Sequence, residues 1–269
     1  MTESWSARLN AIRARRRSAS HRYRLPFDDD IWADRLRAAV RGRRLAAVDP
    51  AAAVETATRA LLCVERGGAE PEAASRCEIY RSPVQLLDES DIWGWLAPGR
   101  PELAASWACA AAFGVAGGEE ELYAALFAAA LAAAAFITED PAEALHIGAG
   151  EIPDDSRVAA AVRAALQQWA AGEAPTFATG GTAPESLAFW TATALVRGAG
   201  DWKAALAVRS SPFVGAIIGA QRGTGALPGN KSQEGEPPSL SGPGSADPSV
   251  DELARRTLAA ARWVLAADP

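Results

Sequence analysis

The chain has 269 residues, of which 49% are hydrophobic and 22% are charged, and its formal net charge is −6. These values are typical of a globular protein with one sizeable domain or two small ones. Cys63, Cys77 and Cys109 form no closely spaced pair, which argues against a disulfide-stabilised secreted protein. The first 24 residues are polar and rich in arginine, unlike a signal peptide, so we expect a cytoplasmic protein.

Charge is distributed unevenly along the chain. Residues 1–50 contain 12 Arg and six Asp or Glu, a net of +6, so the remainder has 15 basic and 27 acidic residues, a net of −12. We interpret residues 1–33 as a solvated basic arm that could contact an acidic protein partner. No aromatic residues interleave the Arg13–Arg17 cluster, which disfavours nucleic acid as the partner.

Helical signals follow one another along most of the chain, and strand signals are nearly absent. Helix-starting Pro and capping residues recur before segments with apolar residues at helical spacing. The predicted helices lie at 34–47, 50–67, from Pro101 to either Gly114 or Gly117-Gly118, 122–137, from Asp140, from Asp154 or Asp155 to Trp169, from Thr182 to Leu195, and from Ser211 onward. Residues 69–101 are predicted to be irregular. The predicted fold class is therefore all-α, a compact multi-helix bundle.

The segment from Leu122 to Ile137 consists almost entirely of Ala, Leu and Phe. A helix that is apolar all round belongs in the middle of a bundle, and this one is shorter than the roughly 20 residues that span a bilayer. We expect a buried central helix in which Phe127 and Leu131 pack together. Gly215 and Gly219 predict a second close contact, between helix backbones.

The C-terminal part changes in composition. Residues 223–249 are rich in Gly, Pro and Ser, which predicts a flexible linker between a helical domain at 34–222 and a C-terminal helix at 250–269. The helix carries apolar residues that should dock on the bundle: Leu253, Leu258, Val264 and Leu265.

Four segments are similar in order and spacing to a known family. They are Trp93-Gly-Trp-Leu-Ala-Pro-Gly99, Tyr123 to Phe127, the Ala-rich run Leu131 to Phe136, and Ile152 to Arg157. Together they resemble the ADP-ribosylglycohydrolase family, with fainter similarity extending over roughly 34–222. The resemblance implies a helical fold and hydrolysis of a glycosidic bond to ADP-ribose. It also implies two Mg²⁺ ions that are held by carboxylates and activate water.

The carboxylate motifs of that family do not occur in this chain. If Ala216–Ala220 is aligned with the helix after the late motif, Ser210 and Pro212 fall where its two Asp residues stand. The early acidic motif would lie between Arg44 and Pro50, where the chain is too short for it. The polar patch before the tyrosine corresponds to 110–118, which holds no Asp or His. We therefore expect neither Mg²⁺ binding nor another cofactor.

Other residue groups are weaker candidates for a site. Asp28–Asp30 and Glu119–Glu121 are interpreted as acids at the starts of helices. Asp88, Glu89 and Asp91 are predicted to form a loop cluster that could line a cleft. His21 and His146 have no nucleophile motif beside them, so no catalytic triad is indicated.

Three functional interpretations follow. The first is a pseudoenzyme of the ADP-ribosylglycohydrolase fold with a binding or regulatory role and a cleft closed by packing. The second is an active enzyme that acts on an ADP-ribosyl or nucleoside-type substrate by metal-independent chemistry. The third is a protein-interaction module. In the first two, the residues expected at the former cleft are Trp93, Trp95, Phe113, Ser210, Ser211 and Phe213, and the Trp pair could instead stack on a nucleobase.

Overall fold

The computed structural model describes residues 29–67, 79–80, 85–178, 180–228 and 249–267. These residues form α-helices and one short 3₁₀ turn, with no strand among them, which confirms the all-α class. The helices are α1 (Asp29–Ala46), α2 (Pro50–Gly67), α3 (Gln85–Glu89), α4 (Asp91–Leu96), α5 (Pro101–Ala112), α6 (Glu119–Ala134), α7 (Pro141–Ala149), α8 (Arg157–Ala170), α9 (Pro184–Gly198), α10 (Trp202–Val208), α11 (Pro212–Arg222) and α12 (Val250–Ala267). None of them is long and apolar enough to cross a membrane.

Helix α6 is the centre of the bundle, as its composition predicts. Every residue from Leu122 to Ala134 is buried, and α3, α4, α5 and α7 pack around it. A Cβ added at Gly94 of α4 would lie 2.5 Å from the Cβ of Ala132, closer than real Cβ contacts. Small side chains therefore bring neighbouring helices into close contact, and dense packing holds the core together.

A second close contact joins α1 to α11. A Cβ added at Gly219 would lie 2.2 Å from the carbonyl oxygen of Ala38, and one added at Gly215 would lie 2.4 Å from that of Gly42. This confirms the prediction from Gly215 and Gly219. It also fixes the start of α11 beside the end of α1, which positions the cavity described below.

Most of the predicted capping residues lie at the starts of helices. Asp49 accepts hydrogen bonds from the amides of Ala51 and Ala52, and Asp140 and Ser211 cap α7 and α11 as predicted. Two predicted caps are wrong. Ser156, not Asp154 or Asp155, caps α8 by accepting from the Ala159 amide. The cap position of α9 is Ala183 rather than Thr182, so no side chain caps this helix.

The prediction that residues 69–101 are irregular is wrong for the second part of this range. Residues 85–96 form α3 and α4, and every residue of α4 is buried. Helices this short are unstable alone, so tertiary packing must stabilise them. Residues 68–78 and 81–84 lie outside the part of the chain that the structure describes.

The two ends of the predicted domain extend further than expected. Helix α1 begins at Asp29, within the predicted arm. After α11, the Thr224 hydroxyl donates to Asp34 at 2.6 Å and Leu227 is buried, so residues 223–228 pack on α1. Residues 1–28 and 229–248, which hold the rest of the predicted arm and linker, are outside the described ranges. Helix α12 docks on α1, α2 and α4 with Leu253 and Val264 fully buried, as predicted.

Candidate ligand cavity

A cavity of about 280 Å³ lies where the end of α1, the first half of α2, helix α3 and the residues before α11 meet. We call it the Arg43 cavity. Its lining includes small apolar side chains and a set of charged ones. The lining residues are Arg43, Ala46, Ala47, Val48, Asp49, Ala52, Ala53, Glu55, Thr56, Arg59, Ile79, Gln85, Glu89, Ser210 and Pro212.

Arg43 is the buried polar residue that ties this region together. Its side chain is 4% exposed, and its Nη1 donates to the Asp91 carboxylate at 2.7 Å and to the Asp88 carbonyl at 2.8 Å. Its Nε donates to the Ala53 carbonyl at 3.2 Å. One guanidinium therefore links α1 to α2, α3 and α4 around the cavity.

Asp91 is fully buried at the start of α4. Its Oδ1 accepts from Arg43, whereas its Oδ2 accepts no hydrogen bond from the described residues. Burial raises the pKa of Asp91 to about 6, against the opposing effect of the Arg43 charge. The pair is thus a buried charge pair that is incompletely hydrogen-bonded.

A second ion pair joins Arg209, between α10 and α11, to Asp88 of α3. Arg209 donates to both carboxylate oxygens of Asp88, at 2.8 and 3.0 Å, and also to the hydroxyl of Thr191. The Ser211 hydroxyl donates to Asp88 at 3.0 Å while its oxygen caps α11. We refer to Arg43, Asp88, Asp91 and Arg209 as the ionic network.

A buried chain of neutral hydrogen bonds lies behind the network. The indole of Trp93 donates to the Tyr80 hydroxyl at 2.8 Å, and the Tyr80 and Ser90 hydroxyls are 2.6 Å apart. Burial raises the pKa of Tyr80 above its ordinary value, so this hydroxyl stays protonated. These three residues satisfy one another's hydrogen-bonding groups and hold α4 in position. None of them offers a reactive group.

The structure separates the residues predicted at the former cleft. Ser210 lines the cavity, and Ser211 is buried in the ionic network. Trp93, Trp95 and Phe213 are buried in the core, at or below 1% exposure, and none of them lines the cavity.

Phe113 is 63% exposed, so the prediction that it helps to fill the cleft is wrong. It follows the last residue of α5, which packs on α4 and α6, while α11 packs mainly on α1. The segment 110–118 therefore contributes nothing to the lining of the Arg43 cavity. A cavity remains beside Ser210 and Pro212, so packing closes this region only in part.

The other predicted acids have different positions. Asp88, Glu89 and Asp91 lie on α3 and α4, so their assignment to a loop is wrong, but Glu89 does line the cavity. Glu120 accepts from the amides of Arg157 and Val158 at 3.0 Å, a helix-capping role. Within the described ranges, no group of three or more His, Cys, Asp or Glu side chains is placed to hold a metal ion.

The sequence reasoning missed Arg43, Arg209 and the cavity-lining residues of α2. The position of Arg43 could have indicated its burial, because it follows Leu36 and Val40 on the same face of a predicted helix. An arginine on an apolar face must find buried partners. Those partners lie ten, 45 and 48 positions away, at distances that local patterns cannot specify.

No protein-family model, curated protein or solved structure matches this chain.

Proposed function

We propose that this chain is a binding protein without metal-dependent hydrolytic activity, organised like the ADP-ribosylglycohydrolases, and that it holds a small molecule in the Arg43 cavity. One observation carries the proposal. Ser210 and Pro212, which stand where the resemblance places metal-binding carboxylates, line a cavity beside the ionic network. A hydroxyl and a pyrrolidine ring are not the charged oxygen ligands by which proteins hold Mg²⁺.

The charged groups nearest this position support a binding role. Arg43 and Arg209 are engaged with Asp91 and Asp88 in ion pairs of 2.7 and 2.8 Å. An arginine stays charged at ordinary pH, so one held in this way can bind a ligand oxygen but does not take part in proton transfer. Asp91 lies behind Arg43 and does not line the cavity. The arrangement therefore suits recognition better than acid–base chemistry.

A hydrolysis assay tests the proposal. An ADP-ribosylated protein should release no ADP-ribose in the presence of the full chain, with or without Mg²⁺, under conditions in which an active glycohydrolase of the family releases it completely. Melting temperatures in zero and about 10 mM Mg²⁺ should coincide, since a ligand at a hundred times its Kd would stabilise the fold by about 2.7 kcal/mol. Mg²⁺-dependent release of ADP-ribose would disprove the proposal.

A further inference from the structure

We propose that the ligand of the Arg43 cavity is a small zwitterion of the amino-acid type, with its carboxylate on Arg43 and its ammonium group at the acidic rim. The inference rests on the proposed binding function of this cavity. It goes further in naming the chemical class of the ligand and the side chains that select it.

Arg43 supplies the inner anchor. Its Nε and Nη1 are used by Ala53, Asp88 and Asp91, but its Nη2 donates to none of the described residues. The side chain is 4% exposed and lines the cavity, so we infer that Nη2 faces into it. A guanidinium held by its other nitrogens and presenting a free amino edge is preorganised for a carboxylate oxygen.

The rim has the opposite charge. Asp49, Glu55 and Glu89 line the cavity together with Arg59, which pairs with Glu55 at 2.5 Å. Among the described lining residues three carboxylates face two arginines, and Asp91 offsets the charge of Arg43, so negative charge is in excess in this part of the chain. Such a rim attracts an ammonium group and disfavours a ligand with several negative charges.

The space between the two charged parts is small and apolar. Ala46, Ala47, Ala52, Ala53, Ile79 and Pro212 contribute to it. At about 280 Å³ the cavity is at or just below the lower end of the range for small-molecule sites, roughly 300–1,000 Å³. A dinucleotide-sized molecule exceeds this space, and its diphosphate would face the rim carboxylates. A molecule with one carboxylate, one amine and a short apolar body satisfies all three parts.

A ligand screen is the first part of the test. Melting temperatures of the full chain are measured with each of the 20 standard L-amino acids at about 10 mM, and the one with the largest effect is titrated by calorimetry. Its two half-molecules are titrated beside it, namely the amine without the carboxylate and the acid without the amine. For valine these are isobutylamine and isovalerate. We expect each half to bind at least about tenfold more weakly, because each loses one charged contact.

Variants assign the contacts. Arg43→Lys keeps a positive charge beside Asp91 but removes the Nη2 amino group, and it should weaken binding of the amino acid by about tenfold or more. Glu55→Gln and Glu89→Gln should weaken it by roughly three- to tenfold while leaving binding of the acid half-molecule unchanged or stronger. Glu173→Gln, an exposed carboxylate outside the cavity, is the matched control and should change nothing.

Three results would overturn the inference: no amino acid shifts the melting temperature, the acid half-molecule binds as tightly as the amino acid, or the rim variants bind like wild type. If Arg43→Lys fails to fold, the half-molecules and the rim variants still test the inference. The hydrolysis assay tests the proposed function independently of these three results. Mg²⁺-dependent release of ADP-ribose would end the proposed function, whereas an absence of amino-acid binding without hydrolysis would end only this inference.

Discussion

Helix α6 and the ionic network are stabilised by different kinds of interaction. Helix α6 consists mainly of alanine, leucine and phenylalanine, and close contact between small side chains packs it against its neighbours. The network beside the Arg43 cavity consists of buried or half-buried charges that must find specific partners. The first region contains few polar groups, and the second pairs most of its charged groups across different helices. The comparison indicates that the apolar core supplies most of the stability of the fold, whereas the network fixes the elements that surround the Arg43 cavity.

The largest effect should come from placing a charge in the apolar region. Leu131→Asp puts a carboxylate at a position with zero exposure in an apolar helix, which should cost several kcal/mol, of the order of the total stability of a domain. We expect a variant that does not fold, as seen by circular dichroism and a lost melting transition. Phe113→Asp, at a residue that is 63% exposed, is the control and should melt like wild type. A soluble, normally melting Leu131→Asp would show that α6 is not the core.

The next effect concerns the contact between α1 and α11. Alanine is intrinsically better in a helix than glycine by about 1 kcal/mol, but a Cβ at position 219 would lie 2.2 Å from the Ala38 carbonyl oxygen. Overpacking of this kind costs about 1–3 kcal/mol, so the steric term should win and Gly219→Ala should lower the free energy of unfolding in urea. Gly225→Ala is the matched control, since a Cβ there meets no atom within 4 Å. Equal stability of the two variants would contradict the close approach of these helices.

The apolar core could be predicted from the sequence to a greater extent than the ionic network. The apolar length of α6, the caps at Asp49, Asp140 and Ser211, and the Gly215 and Gly219 contact are local signals, and the structure confirms them. Helices α3 and α4 were missed because their stability comes from burial rather than from their own residues.

The ionic network was missed for a different reason. Arg209 and Asp88 are separated by 121 positions, and charge pairing over such a distance leaves no periodic pattern. Asp88, Glu89 and Asp91 were noticed as a cluster, but only the fold separates them into one acid that lines the cavity and two that bind arginines. The residues of a candidate site can thus be noticed from the sequence, while their roles depend on the partners that tertiary structure supplies.

A smaller effect should appear in the pH dependence of stability. The pKa of Asp91 is raised from 3.8 to about 6 in the folded protein, so the folded state binds this proton more tightly than the unfolded state. The stabilisation is complete below pH 3.8 and is lost as pH rises through about 6, a change of roughly 2–3 kcal/mol. The free energy of unfolding of wild type minus that of Asp91→Asn should therefore fall between pH 4.5 and 6.5. A difference that stays constant would show that the Arg43 ion pair balances the effect of burial, and one that rises with pH would show that it outweighs burial.

The smallest expected effect is the response of tryptophan emission to nucleotides. Trp93 and Trp95 are at or below 1% exposure, and opening them would require α4 to leave α6, against which Gly94 is packed. Neither indole can therefore stack on a nucleobase. We expect adenosine, ADP-ribose and NAD at millimolar concentration to leave the emission unchanged after correction for their own absorption.

Two exposed tryptophans in the described part of the chain could confound this measurement. Trp169 and Trp263 are 42% and 49% exposed, so collisions with a nucleobase could quench them without any site. Such quenching grows linearly with concentration, persists in Trp95→Phe, and falls in the double variant Trp169→Phe and Trp263→Phe. A saturable quench that survives in the double variant and is lost in Trp95→Phe would mean that α4 opens to admit a nucleobase. The tryptophan pair, and not the Arg43 cavity, would then be the binding site.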